Sequence, residues 1–154
     1  MTQLKEGQPA PPIDKTASNG KTIRLEDLQG QKIILYFYPK DNTPGCTAEA
    51  CNLRDNHSRL QEEGFKVIGI SPDSDASHEK FSARHTLPFP LIADPDKEIM
   101  QAYGVWGEKK MFGKTYMGVK RTTFVIDEKG IIEKIFKQVK TKDHAAQIFE
   151  SLDT

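Results

Sequence analysis

Cysteine is scarce in this chain of 154 residues, which has only two, Cys46 and Cys51. Small secreted domains held together by disulfides carry many more cysteines, and their chains begin with a secretion signal. Residues 1–7 (MTQLKEG) lead into no apolar segment of that kind. We therefore expect a cytoplasmic protein whose thiols are kept reduced and serve a redox role rather than a structural one.

An excess of one charge and long apolar runs are lacking as well. Lysine plus arginine and aspartate plus glutamate each number 22, so the net charge is zero. Because phosphate binding needs a basic surface, nucleic acid is not expected as the main ligand. No apolar run approaches the roughly 20 residues of a membrane span, so no membrane partner is expected. A mass of 17.4 kDa fits one domain over residues 1–154, large enough to bury roughly 68–70% of its unfolded surface.

The common signatures of phosphate and metal sites are incomplete. Gly-Lys-Thr occurs at 20–22 and 113–115, but Lys15 and Glu108 stand where a phosphate-binding loop needs a further glycine. A structural zinc site needs four closely spaced cysteine and histidine ligands. The histidines form no such set: they are His57, His78, His85 and His144. No metal and no cofactor is expected.

Hydrophobic periodicity and turn residues divide the chain into alternating strands and helices, followed by a hairpin. Residues 1–20 are rich in turn residues, and residues 104–118 predict a loop or an irregular hairpin. The predicted strands cover residues 21–23, 32–38, 66–71, 91–93, 120–126 and 131–137. The predicted helices cover residues 25–28 (a single turn), 44–62, 74–85, 97–103 and 142–152. This order predicts an α/β fold with a mixed central sheet flanked by helices.

The strand–turn–helix unit over residues 36–51 carries both cysteines. Thr43 suits the N-cap of the helix and Pro44 its first position, which makes Gly45 and Cys46 the second and third helical residues. Amides of a first helical turn lack helical acceptors, and the positive end of the helix dipole lies there. A thiolate is stabilised in such a place. Cys46 is therefore the candidate nucleophile.

Plainer interpretations of these residues stay open. A free cysteine often behaves as a small buried hydrophobic residue, and Cys51 fits that description. Cys46 heads a core-facing stripe at helical spacing that continues with Ala50, Leu53, His57 and Leu60. His57 is more readily explained as a hydrogen-bonded helix histidine than as a catalytic base, because nothing in the sequence gives it a partner.

The pattern Pro39-x-x-x-Thr43-x-x-Cys46 resembles the active-site signature of the peroxiredoxins. The run from Thr43 to Glu49, followed by Cys51, is similar to the Q-type branch of that family, also called bacterioferritin comigratory protein. Further matching segments are residues 105–109 (VWGEK), 113–116 (GKTY) and 121–127 (RTTFVID). The resemblance covers nearly the whole chain and implies a thioredoxin-like fold.

The resemblance also implies roles for single residues. Arg121 matches the family arginine that approaches the peroxidatic sulfur, and Glu49 matches a position that helps orient it. Pro39 would shield the site, while Thr43 and the backbone N–H groups of residues 45–46 would position the peroxide. From the residues alone, a strand-edge arginine whose head reaches water is the favoured interpretation of Arg121, and only the resemblance reverses that preference. Glu49 is equally a solvated carboxylate near a helix start, and Pro39 a strand terminator.

The function implied is that of a thiol peroxidase acting on hydrogen peroxide and alkyl hydroperoxides. Cys46 would become a sulfenic acid, Cys51 would resolve it as an intramolecular disulfide, and thioredoxin or a similar dithiol would reduce that disulfide. A redox sensor that passes oxidation to a partner protein is the alternative, and a binding or chaperone-like module with an incidental thiol is a third. We expect a monomer, with a weak dimer as the other option.

The spacing of the two cysteines carries a conformational prediction if they form that disulfide. Residues five apart on one helix have Cα atoms about 8.6 Å apart and side chains turned about 140° from each other. A disulfide needs Cα atoms within about 7 Å and converging Cβ vectors. The first turns of the helix must therefore unwind on oxidation, and the oxidised protein should lack order around residues 44–52.

Overall fold

The computed structural model of this chain describes residues 2–152; Met1, Asp153 and Thr154, at the ends of the predicted 1–154 domain, lie outside the described residues. Its strands are β1 Asp14–Thr16, β2 Thr22–Arg24, β3 Lys32–Phe37, β4 Phe65–Ser71, β5 Leu91–Ala93, β6 Trp106–Met111, β7 Lys114–Val119, β8 Thr122–Ile126 and β9 Ile132–Phe136. Its helices are α1 Pro44–Asp55, α2 His57–Glu62, α3 Asp75–His85, α4 Glu98–Ala102 and α5 His144–Leu152, with a short 3-10 helix at Leu25–Leu28.

Five strands form the central sheet in the order β5-β4-β3-β8-β9. The pairs β3–β4 and β4–β5 are parallel, whereas β3–β8 and β8–β9 are antiparallel, so the predicted mixed sheet is confirmed. The central strand β3 is buried on both faces of the sheet. Because neighbouring side chains point to opposite sides of a strand, it contributes to two cores. Ile34 packs in the core that includes α1 and α5, whereas Ile33 and Leu35 pack in the core on the other face.

The helix predicted over residues 44–62 is interrupted, and that part of the prediction is wrong. α1 ends at Asp55 and α2 begins at His57, with Asn56 between them at φ −106 and ψ 9. The Asn56 side-chain amide donates to the Asn52 carbonyl at 2.8 Å, the carbonyl that also accepts the Asn56 backbone N–H at 3.2 Å. Asparagine is a weak helix former for this reason, because its side chain competes for backbone partners.

Two segments are more regular than predicted. Residues 1–20, predicted only to be rich in turn residues, contain β1, which pairs antiparallel with β2. Residues 104–118, predicted as a loop or an irregular hairpin, belong to a regular hairpin of β6 and β7, whose two turn residues, Phe112 and Gly113, have φ of 53 and 77. Positive φ at both positions is the requirement of a type I′ hairpin turn. Asn-Gly or Gly-Gly is the usual sequence signal for that turn, and the turn is not recognisable here because Phe112 occupies its first position.

The register of the sheet brings distant parts of the chain together at one end. Phe37, the last residue of β3, pairs with Thr122, the first residue of β8. The loop that follows β3 and leads into α1 therefore lies beside the residue that precedes β8, which is Arg121. The strand predicted from residue 120 begins two residues later, so Arg121 lies just outside it. None of the helices between residues 2 and 152 is long and apolar enough to cross a membrane.

Candidate active site

Cys46 is the third residue of α1, as the sequence predicts. Thr43 has the extended N-cap conformation (φ −86, ψ 153) and Pro44 is the first helical residue. The Thr47 N–H donates to the Thr43 carbonyl at 2.9 Å. Gly45 and Cys46 precede that hydrogen bond, so their amides have no acceptor within the helix. Cys46 is 1% exposed, and both cysteines are free thiols.

Thr43 occupies the N-cap position of α1, but its side chain does not cap the helix. Its hydroxyl donates to the Lys40 carbonyl at 2.9 Å and makes no capping hydrogen bond to α1. A hydroxyl oxygen keeps acceptor lone pairs when its hydrogen is used. Thr43 Oγ1 therefore remains able to accept a further hydrogen bond.

Arg121 joins the sulfur to a buried carboxyl group. Its Nη2 donates to Cys46 Sγ at 3.2 Å, and its Nη1 donates to Glu49 Oε1 at 2.6 Å. The Arg121 side chain is 22% exposed, whereas Glu49 is fully buried. A Cβ on Gly45 would lie 3.3 Å from Arg121 Nη2. The absence of a side chain at Gly45 therefore lets the guanidinium approach the start of α1.

The pKa values of Glu49 and Arg121 are shifted by burial and by the charges of neighbouring groups. Burial raises the pKa of Glu49 to about 7, against the lowering effect of Arg121. Burial alone would lower the pKa of Arg121, but the charges of Glu49 and Cys46 outweigh it and raise that pKa above its ordinary value. Arg121 thus stays charged, while Glu49 changes protonation near neutral pH.

A neutral histidine lies behind Glu49. Burial lowers the pKa of His144 to about 4. Its Nδ1 lies 3.0 Å from Gln147 Oε1 and its Nε2 lies 2.8 Å from Thr123 Oγ1. Because an amide oxygen only accepts, Nδ1 carries the hydrogen and Nε2 accepts from Thr123. Glu49 Oε2 lies 3.6 Å from His144 Nε2 and has no hydrogen-bond partner among the described residues. Because no donor reaches this buried oxygen, the arrangement favours a protonated Glu49.

A second buried network fixes the loop between β3 and α1, and the sequence analysis missed it. Asp41 Oδ1 accepts from the Tyr38 hydroxyl at 2.6 Å. Asp41 Oδ2 accepts from Ser77 Oγ at 2.8 Å and lies 2.7 Å from His78 Nδ1. The other ring nitrogen of His78 lies 3.1 Å from the Ile92 carbonyl. Both ring nitrogens of His78 therefore lie within hydrogen-bond distance of acceptors, and Nδ1 is paired with the Asp41 carboxyl group.

This network also contains the one group in the described part of the chain whose spacing would suit a metal ion. Ligand atoms of Asp41, Asp73 and His78 lie within 4.8 Å of one another. Asp73 Oδ2, however, accepts the Asp41 N–H at 2.8 Å and the Ser71 hydroxyl at 2.6 Å. Because these groups already bind each other, hydrogen bonding accounts for the cluster without a cation.

Cys51, Pro39 and His57 are the other residues that the sequence analysis considered. Cys51 is half-buried, and its Sγ lies 3.8 Å from His85 Nδ1. Pro39 is half-buried at the end of the strand region before the loop. His57 is half-buried against Phe89, with ring centroids 6.1 Å apart.

Comparisons with known proteins agree with the resemblance seen in the sequence. Residues 6–135 match the AhpC/TSA family. The chain is 47% identical to peroxiredoxin Bcp of Bacillus subtilis over 149 residues, which cover 97% of this chain and 95% of that protein.

Solved structures extend the likeness to three dimensions. A cysteine-to-serine variant of PrxQ from Xylella fastidiosa has a TM-score of 0.89 at 31% identity, over 99% of this chain and 98% of that one. The bacterioferritin comigratory protein of Xanthomonas campestris has a TM-score of 0.85 at 32% identity, with 99% and 98% coverage. The predicted thioredoxin-like fold is confirmed by these neighbours.

Proposed function

This chain belongs to the AhpC/TSA family, in its Q-type peroxiredoxin branch, and from that membership we propose the roles of its residues in peroxide reduction. Peroxiredoxins are thiol peroxidases, so the substrate is a peroxide and a reductant must restore the thiol. We propose Cys46 as the thiol that meets the peroxide. The observation that carries this proposal is the 3.2 Å contact between Arg121 Nη2 and Cys46 Sγ at the start of α1.

In the first step the Cys46 thiolate attacks one oxygen of the peroxide. An S–O bond forms while the O–O bond breaks, and the other oxygen leaves as water or an alcohol after taking up a proton. The amides of Gly45 and Cys46 have no acceptor within the helix, and the guanidinium of Arg121 lies 3.2 Å from the sulfur, so these groups are suited to stabilise the leaving oxygen. The free lone pairs of Thr43 Oγ1 are suited to accept the hydrogen of the attacked peroxide oxygen, which orients the O–O bond.

In the second step Cys51 attacks the sulfenic acid and forms a disulfide with Cys46. Both residues lie on α1, where Cα atoms five residues apart are about 8.6 Å distant, too far for a disulfide. The start of the helix must therefore unwind.

The contacts of α1 indicate which part moves. The Asn52 side chain donates to the Lys142 carbonyl at 2.9 Å and accepts from the Ala145 N–H at 2.8 Å, which ties it to α5. The next residue, Leu53, is fully buried. We therefore place the unwinding before Asn52, so that Cys46 moves towards a stationary Cys51.

The reductant and the range of peroxides belong to the same proposal. We propose thioredoxin or a similar dithiol protein as the reductant, because an intramolecular disulfide is opened by thiol exchange. The comigratory protein of Xanthomonas campestris was solved in complexes that bear on alkyl peroxide reduction, which supports alkyl hydroperoxides beside hydrogen peroxide as substrates. We further propose a cytoplasmic location and a monomeric state.

Peroxide consumption coupled to thioredoxin and its reductase tests the proposal. Cys46→Ser should abolish turnover without unfolding the protein, and Cys51→Ser should consume one equivalent of peroxide and then stop as the sulfenic acid. Appreciable turnover by Cys46→Ser would disprove the assignment of the nucleophile. Wild-type turnover by Cys51→Ser would show that an external thiol resolves Cys46. Slow wild-type turnover with a stable mixed disulfide to one partner protein would favour the redox sensor.

A further inference from the structure

Cys51 has a specific neighbour that the reaction described above does not use. Its Sγ lies 3.8 Å from Nδ1 of His85, within the range of a hydrogen bond to sulfur. The two residues lie 34 positions apart in the sequence and on different helices, α1 and α3. Since a thiol offers a hydrogen and a neutral imidazole offers a lone pair, the pair has the composition of an acid and its base.

Two contacts hold His85 in place, one at its backbone and one at its ring. Its backbone carbonyl accepts from Arg54 Nη1 at 2.7 Å, and Arg54 lies on α1 three residues after Cys51. Its ring meets the buried ring of Phe81 edge-on, with centroids 5.1 Å apart and planes at 70°. α1 and α3 are therefore joined where the imidazole faces the thiol.

We propose that His85 accepts the Cys51 thiol proton when Cys51 attacks the oxidised Cys46. The proposal rests on the function proposed above, in which Cys51 is the resolving residue. His85 would then be a catalytic residue of the resolution step, because it touches a reacting atom.

The step balances without a further reagent. His85 Nδ1 takes the proton from Cys51 Sγ, and the sulfur attacks Cys46 Sγ, so that an S–S bond forms while the S–O bond breaks. The hydroxide that leaves takes a proton back from the imidazolium and departs as water. A thiol and a sulfenic acid thus become a disulfide and water, and His85 returns to its neutral form.

A base at this place meets a physical need. The thiolate is the nucleophile, and an ordinary thiol with a pKa of about 8.5 is only about 3% ionised at pH 7. Arg54 interacts electrostatically with Cys51 and also binds Asp55 through Nε and Oδ1 at 3.0 Å; as a guanidinium it can stabilise a thiolate but cannot accept the thiol proton. His85 Nδ1 lies within hydrogen-bond distance of the Cys51 sulfur and can accept that proton.

The fold also keeps the pair together while the helix start unwinds. Asn52 is tied to α5 and Leu53 is buried. Cys51 therefore stays beside His85 while Cys46 approaches.

Single-turnover experiments on the full-length protein test the proposal. Reduced enzyme receives one equivalent of hydrogen peroxide, is quenched with an alkylating agent at set times, and is analysed by mass between pH 5.5 and 9. In His85→Ala the sulfenic acid should form at the wild-type rate, and the disulfide should form at least tenfold more slowly at pH 7, in line with general base catalysis of about 10²–10⁴. The deficit should shrink towards pH 9, where thiols ionise unaided.

Two further variants make the comparison specific. His57→Ala removes another half-buried histidine that also contacts an aromatic ring and should resolve at the wild-type rate. His85→Gln keeps a polar side chain of similar size and should share the defect of His85→Ala, which leaves a test if the alanine variant folds poorly.

A second measurement needs no peroxide. In the Cys46→Ser background, the rate of alkylation of Cys51 by iodoacetamide at pH 7 should fall when His85 is replaced. Equal alkylation rates and equal resolution rates with and without His85 overturn the role of His85 alone. A wild-type enzyme that forms no Cys46–Cys51 disulfide overturns the resolving role of Cys51 and the present proposal with it.

Discussion

Replacing Gly45 with alanine should separate the stability of α1 from the reactivity of Cys46. Gly45 lies in the first turn with an ordinary helical backbone, so alanine meets no conformational strain. Alanine is favoured over glycine within helices by up to about 1 kcal/mol. We therefore expect Gly45→Ala to unfold at the wild-type temperature or higher.

The added methyl group crowds Arg121, whose Nη2 lies 3.3 Å from the position of the new Cβ and 3.2 Å from Cys46 Sγ. If the guanidinium retreats by about 0.5 Å along the line to the sulfur, the attraction between the two charges falls from about 5.2 to about 4.5 kcal/mol at an effective dielectric constant of 20. The difference of about 0.7 kcal/mol corresponds to a roughly threefold slower reaction with peroxide.

A double-mutant cycle measured by stopped-flow peroxide consumption decides whether Gly45 acts through Arg121. Arg121→Ala should slow the reaction on its own, because the guanidinium stabilises the thiolate and the leaving oxygen. Gly45→Ala should then cause no further loss in the Arg121→Ala background. An equal loss in both backgrounds would refute the reasoning and show that the added methyl group acts on the peroxide directly.

Three other predictions concern the buried groups around the site. Burial raises the pKa of Glu49 from 4.5 to about 7, so the wild type should lose stability as pH rises between these values. In urea unfolding, the free energy of unfolding of Glu49→Gln should therefore rise relative to that of the wild type across this pH range. Parallel pH curves for the two proteins would contradict this. His78→Ala should lower the free energy of unfolding by about 3–5 kcal/mol, since the buried Asp41 carboxyl group loses its His78 partner and keeps only the hydrogen bonds from Tyr38 and Ser77. A loss below about 1 kcal/mol in chemical denaturation would show that the pair is dispensable. Amide exchange should show residues 47–50 losing protection on oxidation, and equal protection in both forms, with the disulfide confirmed by mass, would rule out the unwinding.

The start of α1 was predictable to the residue because its signals are local. Thr43, Pro44 and Gly45 each suit one position of a helix start, and no distant partner is needed to place Cys46 third. The strands of the central sheet were predictable for a similar reason, since their apolar runs are continuous and bounded by turn residues. The proposal of Cys46 as the nucleophile rests on the same few residues together with the family resemblance.

Contacts between distant residues were not predictable from one sequence. Asp41 and His78 are 37 positions apart, and neither residue type nor spacing indicates that they share a buried hydrogen bond. His85 beside Cys51 is the same kind of contact, since it depends on how α3 packs against α1. The sequence alone did not show whether the Arg121 guanidinium reaches water or contacts the Cys46 sulfur. The pairing of β3 with β8 and the close approach at Gly45 bring it to the sulfur.

The contacts of Arg121 connect the peroxide reaction to the unwinding of α1. Its guanidinium binds the helix start at Cys46 Sγ and at Glu49 Oε1, and both lie in the part of α1 proposed to unwind. The first contact is charge-assisted while the sulfur is a thiolate. Oxidation to a sulfenic acid removes the negative charge of the thiolate, so we expect it to weaken that contact. The second contact depends on Glu49, whose pKa burial raises to about 7. The group proposed to make the sulfur reactive therefore also holds the helix start in place, and oxidation loosens it while Asn52 and Leu53 stay anchored.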